Sequence, residues 1–237
     1  MTKKTRKTHK MRKVLLTVCC AALLVCVTIG ATVAYLTSTD KVENTFTVGN
    51  VDITLDEAKV NEKGEPVDAN GNVIDDNSDA TAPRVDNNRY KLMPGRTYTK
   101  DPTVTVKGGS EECYVRVFVE FTNSDKLDEV FPNANLTSLF VGYNGSDWEY
   151  IDNVEDNAEH TRTYELRYKT TVTALTDNDS DGKPDDVVLP AVFTGIAIPG
   201  TIKNADLAKL NGTEINVTAQ AIQKDGFDTA AEAWAKF

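Results

Sequence analysis

The stretch Asp177-Asn178-Asp179-Ser180-Asp181-Gly182-Lys183-Pro184-Asp185-Asp186 concentrates side-chain oxygen donors in one short, turn-rich segment. Asp177, Asp179, Asp181 and Asp185 stand at relative positions 1, 3, 5 and 9, with Gly182 at 6. That is the opening of an EF-hand-type calcium loop, in which alternate side chains converge on one point and the glycine permits the turn. The twelfth position, where the bidentate acid belongs, is Val188, and no convincing helix pair flanks the segment. Two readings follow: a loop that binds Ca2+ through Asp177, Asp179, Asp181 and Asp185, or a solvated acidic hairpin loop.

Asp68-Ala69-Asn70-Gly71-Asn72, with Asp75, Asp76 and Asp79 behind it, is a poorer version of the same pattern and reads as a plain turn. Hydrolytic chemistry finds few parts. The chain has two histidines, His9 and His160, and His9 lies in a basic leader. There is no His-Glu-x-x-His and no set of three nitrogen or thiolate ligands at zinc spacing. No Gly-x-Ser-x-Gly elbow occurs. Cys113 and His160 could pair as thiol and base. However, Cys113 shares a strand face with Val115 and Val117, which predicts a buried small residue. Trp148, Tyr150, Tyr164 and Tyr168 could line a carbohydrate platform, and core packing with cross-strand pairing explains them equally well. These parts predict a protein that is not an enzyme.

The elements that must position these groups read as strands. Cys113, Val115, Val117, Val119 and Phe121 alternate with Tyr114, Arg116, Phe118 and Glu120, the clearest two-residue period in the chain. Thr45–Leu55, Thr103–Val106, Thr161–Leu175 and Glu214–Ile222 carry the same signal, with a break or bulge at Gly49-Asn50. Val187–Ile198 is apolar but interrupted by Pro190 and Gly195, which predicts an edge or a bend. Helical signals are confined to Ser124–Val130, Asn204–Leu210 and Asp228–Phe237, the last with Asp228 as the expected N-cap. A polar stretch, about 56–89, reads as a surface insertion, with a small hairpin expected around Asp68–Ile74. Short strands, long loops and few helices predict an all-β antiparallel sandwich.

Residues 1–34 have the three-part plan of an export signal: Lys3, Lys4, Arg6, Lys7, Lys10, Arg12 and Lys13, then an uncharged stretch from Val14 to Ala34, ending in small residues. The expected cut falls between Ala34 and Tyr35, made by a signal peptidase. The alternative is an uncleaved membrane anchor, since Val14–Ala34 is long enough to span a bilayer. The leader holds seven of the 26 Lys and Arg and none of the 36 Asp and Glu. The acidic remainder, 35–237, disfavours nucleic acid and anionic membrane as partners. Its length suits one sandwich domain. Cys19, Cys20 and Cys26 fall in the leader, so Cys113 is left without an internal partner.

Ala34-Tyr35-Leu36-Thr37-Ser38-Thr39-Asp40, followed by Asn44-Thr45-Phe46-Thr47-Val48-Gly49, resembles the amino terminus of the camelysin/TasA-type proteins of Gram-positive bacteria. Leu92-Met93-Pro94-Gly95-Arg96 and the closing Val217–Gln223 and Ala233-Trp234 are similar to other parts of that family. The resemblance implies a jelly-roll-like sandwich, a leader processed by a SipW-type peptidase, and assembly into extracellular biofilm-matrix fibres. In related fibres an amino-terminal strand of one subunit completes the sheet of the next. On this reading the chain is a secreted structural subunit, pairing with itself or with related matrix subunits through Tyr35–Leu55. Phe46, Val48 and Ile53 would then seat in a neighbour's core. The alternatives are a membrane-anchored surface binding module and, since some members of the family are zinc endopeptidases, a camelysin-like metalloendopeptidase.

Overall fold

A computed structural model of the chain describes residues 49–74, 80–132 and 136–237. The leader, the expected cut at Ala34–Tyr35, the assembly residues Phe46 and Val48, and Asp75, Asp76 and Asp79 lie outside the described residues. The strands in chain order are β1 (Ile53–Ala58), β2 (Arg84–Val85), β3 (Thr97–Thr99), β4 (Thr103–Val106), β5 (Cys113–Phe121), β6 (Phe140–Val141), β7 (Trp148–Asp156), β8 (Thr161–Tyr168), β9 (Val187–Val188), β10 (Gly195–Ala197) and β11 (Ile215–Gln223). They form three antiparallel sheets in the orders β11-β5-β8-β7, β2-β1-β4-β9 and β3-β10-β6. Helices are short: Ser124–Val130, Leu136–Leu139, Asn204–Leu207 running into a 3-10 turn at Ala208–Leu210, and Ala230–Trp234. The protein is an all-β sandwich, as the strand alternation predicts. No helix among the described residues is long and apolar enough to cross a membrane.

β5 carries the architecture. Its odd-numbered residues, Cys113 to Phe121, are all buried and its even-numbered ones are half-buried on the other face. It pairs with β11 along its whole length and with β8 over Arg116–Phe121. The inward row packs against Val104 and Val106 of β4, Ile196 of β10 and Phe140 of β6, so all three sheets share one core. Ile215, Val217, Ala219 and Ala221 of β11 face it, as their alternation predicts. Trp148 is fully buried, meets Tyr168 edge-on at 5.2 Å, and donates its indole N–H to the Pro190 carbonyl at 2.9 Å.

Four regions depart from the sequence expectation, each for a local reason. β7 is absent from the periodic signal because only Trp148 of its nine residues is buried, and a register shift between Tyr150 and Asp152 breaks its alternation. β8 stops at Tyr168, where the chain bends; Val172 then bridges to Cys113 instead of extending the strand to Leu175. The segment Val187–Ile198 is split between β9 and β10, which belong to different sheets, with Pro190 between them. The last helix begins one residue later than expected: Thr229 is its N-cap and accepts the Glu232 N–H, while Asp228 donates its own N–H to the Glu232 carboxylate.

The polar insertion folds back on the sandwich. Val60 and Val67 are buried, and Val67 bridges to Val73 in the expected small hairpin. Gly64, at φ +76°, lies so close to β3 that a Cβ would stand 2.6 Å from the Tyr98 Cα, and its carbonyl accepts the Thr99 N–H. Tyr98 is fully buried; its hydroxyl accepts from the Met93 N–H and donates to the Lys91 carbonyl. Arg84 clamps the insertion to β1 and to the β3–β4 turn through Asp56 at 2.8 Å and Asp101 at 2.6 Å.

Leu166 is fully buried at the centre of the shared core, whereas Val154 on edge strand β7 is 67% exposed. Leu166→Ala should therefore destabilise the fold by about 2–5 kcal/mol. Val154→Ala should stay within about 0.5 kcal/mol of the parent. Urea unfolding followed by tryptophan fluorescence checks both.

Candidate functional site

The acidic loop lies between β8 and β9 and is organised by its own side chains. Asp179 accepts the Asp181 N–H at 3.0 Å and Asp177 accepts the Gly182 N–H at 2.9 Å. Asp185 reaches back to the Asn178 N–H at 2.7 Å, and the Asp185 N–H closes the loop onto the Thr176 carbonyl. Ser180 and Gly182 take left-handed backbone, which short Asp- and Gly-rich turns accommodate. Asp186, outside the expected ligand set, anchors the loop to the end of β4 by pairing with the Lys107 ammonium and accepting the Gly108 N–H at 2.8 Å. The hydrogen bond from Lys107, followed by that from Gly108, holds the Asp186 carboxyl below the usual carboxylate range. Gly108 is required there: a Cβ would stand 2.0 Å from the Pro184 carbonyl oxygen.

This folding gathers three of the four expected ligands. One carboxylate oxygen from each of Asp177, Asp179 and Asp185 lies within 4.8 Å of the others. Asp181 is not in that group; its Oδ1 instead accepts the Lys183 N–H at 2.8 Å. Asp177 Oδ1 is buried and has no hydrogen-bond partner among the described residues. Three negative groups this close repel one another, and a hard divalent cation relieves that repulsion by sharing their oxygens. Val188, in the twelfth position, enters β9 opposite Thr105, so the loop ends in a strand and not in an EF-hand helix.

The second acidic run is a turn. Asp68 Oδ1 accepts the N–H groups of Asn70 and Asn72, its Oδ2 accepts from the Asn72 side chain, and Gly71 completes the turn at φ +87°. The hydrogen bonds from Asn72 lower the Asp68 carboxyl below its ordinary value.

Cys113 and His160 do not meet. Cys113 opens β5, whereas His160 precedes β8 at the far end, where Phe121 pairs with Arg162. At a strand rise of about 3.3 Å per residue, eight residues of β5 separate those ends by roughly 26 Å. Burial, followed by the nearby Glu112 charge, pushes the Cys113 thiol up to about 11, which keeps it protonated and unreactive at neutral pH. His160 is an exposed turn residue 3.9 Å from Asp125. Trp148 and Tyr164 are buried and belong to the core, whereas Tyr150 is 42% exposed and meets Tyr164 obliquely at 6.3 Å.

Sequence reasoning missed a second feature, a cleft of about 1520 Å³ between the β1 and β11 edges. Leu55, Phe121, Leu127, Ile196, Leu207 and Val217 contribute its apolar wall, and Glu57, Asn88 and Lys100 contribute polar groups. β2 pairs only with Glu57 and Ala58, so the β1 backbone from Ile53 to Asp56 has β4 on one side and no strand among the described residues on the other. Ile53 itself is paired within the chain, opposite Val106. The available sequence signal was the inward row Ile53, Leu55 and Glu57; the strand runs three residues into the stretch read as a polar insertion.

Residues 9–65 match the model of a family described as camelysin metallo-endopeptidase, the family that the amino-terminal motifs resemble. No curated protein and no solved structure matches the chain. The description of the matched family points to a peptidase, and it corrects the expectation, drawn from missing zinc and serine motifs, that the chain is not an enzyme.

Proposed function

We propose that this camelysin-like chain is an exported subunit of an extracellular matrix or fibre, joined to its neighbour by the segment Tyr35–Val48. The observation that carries this reading is the apolar cleft flanked by the half-paired β1 edge and the β11 edge. An extended segment laid there would satisfy edge N–H and C=O groups while alternate side chains enter the apolar wall. Phe46 and Val48 are the apolar residues of that segment nearest β1. Removal of the leader after Ala34 would free the segment to enter a second copy, each buried apolar side chain contributing about 1.5–3 kcal/mol before ordering costs. Electron microscopy of chain 35–237 should show fibres, and Phe46→Asp should abolish them while circular dichroism stays unchanged. A folded Phe46→Asp chain that polymerises at the parent rate defeats the reading.

In the same reading the loop holds calcium through Asp177, Asp179 and Asp185, with the buried Asp177 Oδ1, which has no hydrogen-bond partner among the described residues, as the strongest support. Bound calcium would offset two of the three carboxylate charges and hold the three side chains together. Without a bidentate acid the expected affinity is that of extracellular modules, about 10⁻⁴–10⁻³ M. Calorimetric titration should give binding heat with the parent chain and none with Asp177→Ala/Asp179→Ala; equal heats from both would show a solvated loop.

The second reading, metallo-endopeptidase activity, is favoured by the family match over residues 9–65. It predicts that the purified chain cleaves an unstructured protein substrate and that a metal chelator stops the cleavage. Turnover that is absent with and without added divalent metal counts against it.

A further inference from the structure

The cleft wall contains a buried charged pair that neither proposed activity uses. Glu57 is 5% exposed and Lys100 is 6% exposed. Lys100 Nζ donates to Glu57 Oε2 at 2.7 Å. The other carboxylate oxygen, Oε1, accepts from the Asn88 side-chain nitrogen at 3.0 Å. The Asn88 amide is fixed at both ends: Nδ2 also donates to the Ala58 carbonyl at 2.8 Å, and Oδ1 accepts the Val60 N–H at 2.9 Å. Tyr90 completes the surroundings, with its hydroxyl on the Thr99 carbonyl. One carboxylate therefore bridges an amine and a primary amide, and a backbone N–H already polarises the amide carbonyl. As a stabilising device alone, an ion pair this deeply buried is a poor choice, because desolvating both charges offsets much of their attraction.

We propose that Lys100 and Asn88 condense to an intramolecular isopeptide bond, with Glu57 as the catalytic acid–base. Glu57 takes a proton from the Lys100 ammonium through Oε2 and leaves a neutral amine in a desolvated pocket, where it is nucleophilic. Nζ attacks Asn88 Cγ, and the carbonyl electron pair moves onto Oδ1, where the Val60 N–H stabilises it. The tetrahedral centre then collapses. The Nζ–Cγ bond is retained, the Cγ–Nδ2 bond breaks, and Glu57 passes the protons lost by Nζ to the departing nitrogen. An ammonium and a carboxamide become a secondary amide and an ammonium ion, so the atoms and charge balance without oxidant, metal or cofactor. Fixing both partners against one carboxylate supplies the proximity that an uncatalysed amide exchange lacks.

The bond would tie the segment after β2 to the end of β3 and remove the buried Lys100 charge. It would give a covalent link to a region whose one cysteine, Cys113, is free. The inference is independent of whether the cleft accepts a strand or the chain cleaves peptides.

Intact-mass measurement of the purified folded full-length chain, read against its own amino terminus, tests it. The expected mass is lower than the sequence mass by one ammonia, and proteolysis should release a branched peptide joining the fragment with Asn88 to the fragment with Lys100. Succinimide formation at Asn70-Gly71, Asn144-Gly145 or Asn211-Gly212 also expels ammonia, so Lys100→Arg is the discriminating variant. Lys100→Arg and Glu57→Gln should each return the full sequence mass. A parent chain at full mass, an ammonia loss that survives in Lys100→Arg, or a map with unlinked Asn88 and Lys100 peptides overturns the proposal. The parent-chain measurement decides even if a variant fails to fold.

Discussion

The inward row of β5 is the constraint on which the rest depends. Val115, Val117 and Val119 are fully buried, with Cys113 and Phe121 closing the row at either end. Each such side chain contributes about 1.5–3 kcal/mol on transfer from water. The row is contacted from three sheets, so it fixes the register of β11 and β8 and the faces that β4, β6 and β10 present. A one-residue slip of β5 would bury Arg116 and Glu120 and expose the valines, which makes the register all but compulsory. Cys113 belongs to this row as a small apolar side chain, and its burial suppresses its thiolate chemistry.

Outside that row, charged groups hold the loops in place. Arg162 makes a two-pronged contact with Asp128, at 3.0 and 2.6 Å, and a second with Glu155, fastening the helix Ser124–Val130 to the β7–β8 hairpin. Arg84 does the same for the insertion, and Lys107 with Asp186 does it for the acidic loop. Arg116 lies 4.2 Å from the Trp234 ring and 4.8 Å from that of Phe118, which docks the carboxyl-terminal helix on the outer face of the main sheet. Planar guanidinium groups suit this work because their donors are fixed in a fork and one face remains free to stack.

The candidate sites sit where this framework leaves something unfinished. Asp186 and Gly108 pin the loop to β4, and Asp177 keeps a buried oxygen with no hydrogen-bond partner among the described residues. The cleft exists because β2 covers only the last two residues of β1, so one sheet edge faces another across apolar side chains. Both features are products of where short strands stop.

The sequence by itself determined the strands whose two faces differ: β4 and β5 at their observed bounds, β11 to within a residue, and the helix Ser124–Val130. A half-buried strand must write its two environments into alternate residues, so the pattern is local. Sequence also placed the acidic loop, and residues 9–65 match the camelysin family model. Only the tertiary structure decided the rest. β7 has a solvent-exposed surface that imposes no period beyond Trp148, and the split of Val187–Ile198 depends on two sheets that lie apart in the chain. Asp181 stands outside the carboxylate group, accepting the Lys183 N–H, although its spacing matched. Glu57, Asn88 and Lys100 come from three separate segments, each unremarkable in sequence; sheet pairing and the fold of the insertion bring them together in a buried site where their chemistry differs from that in water.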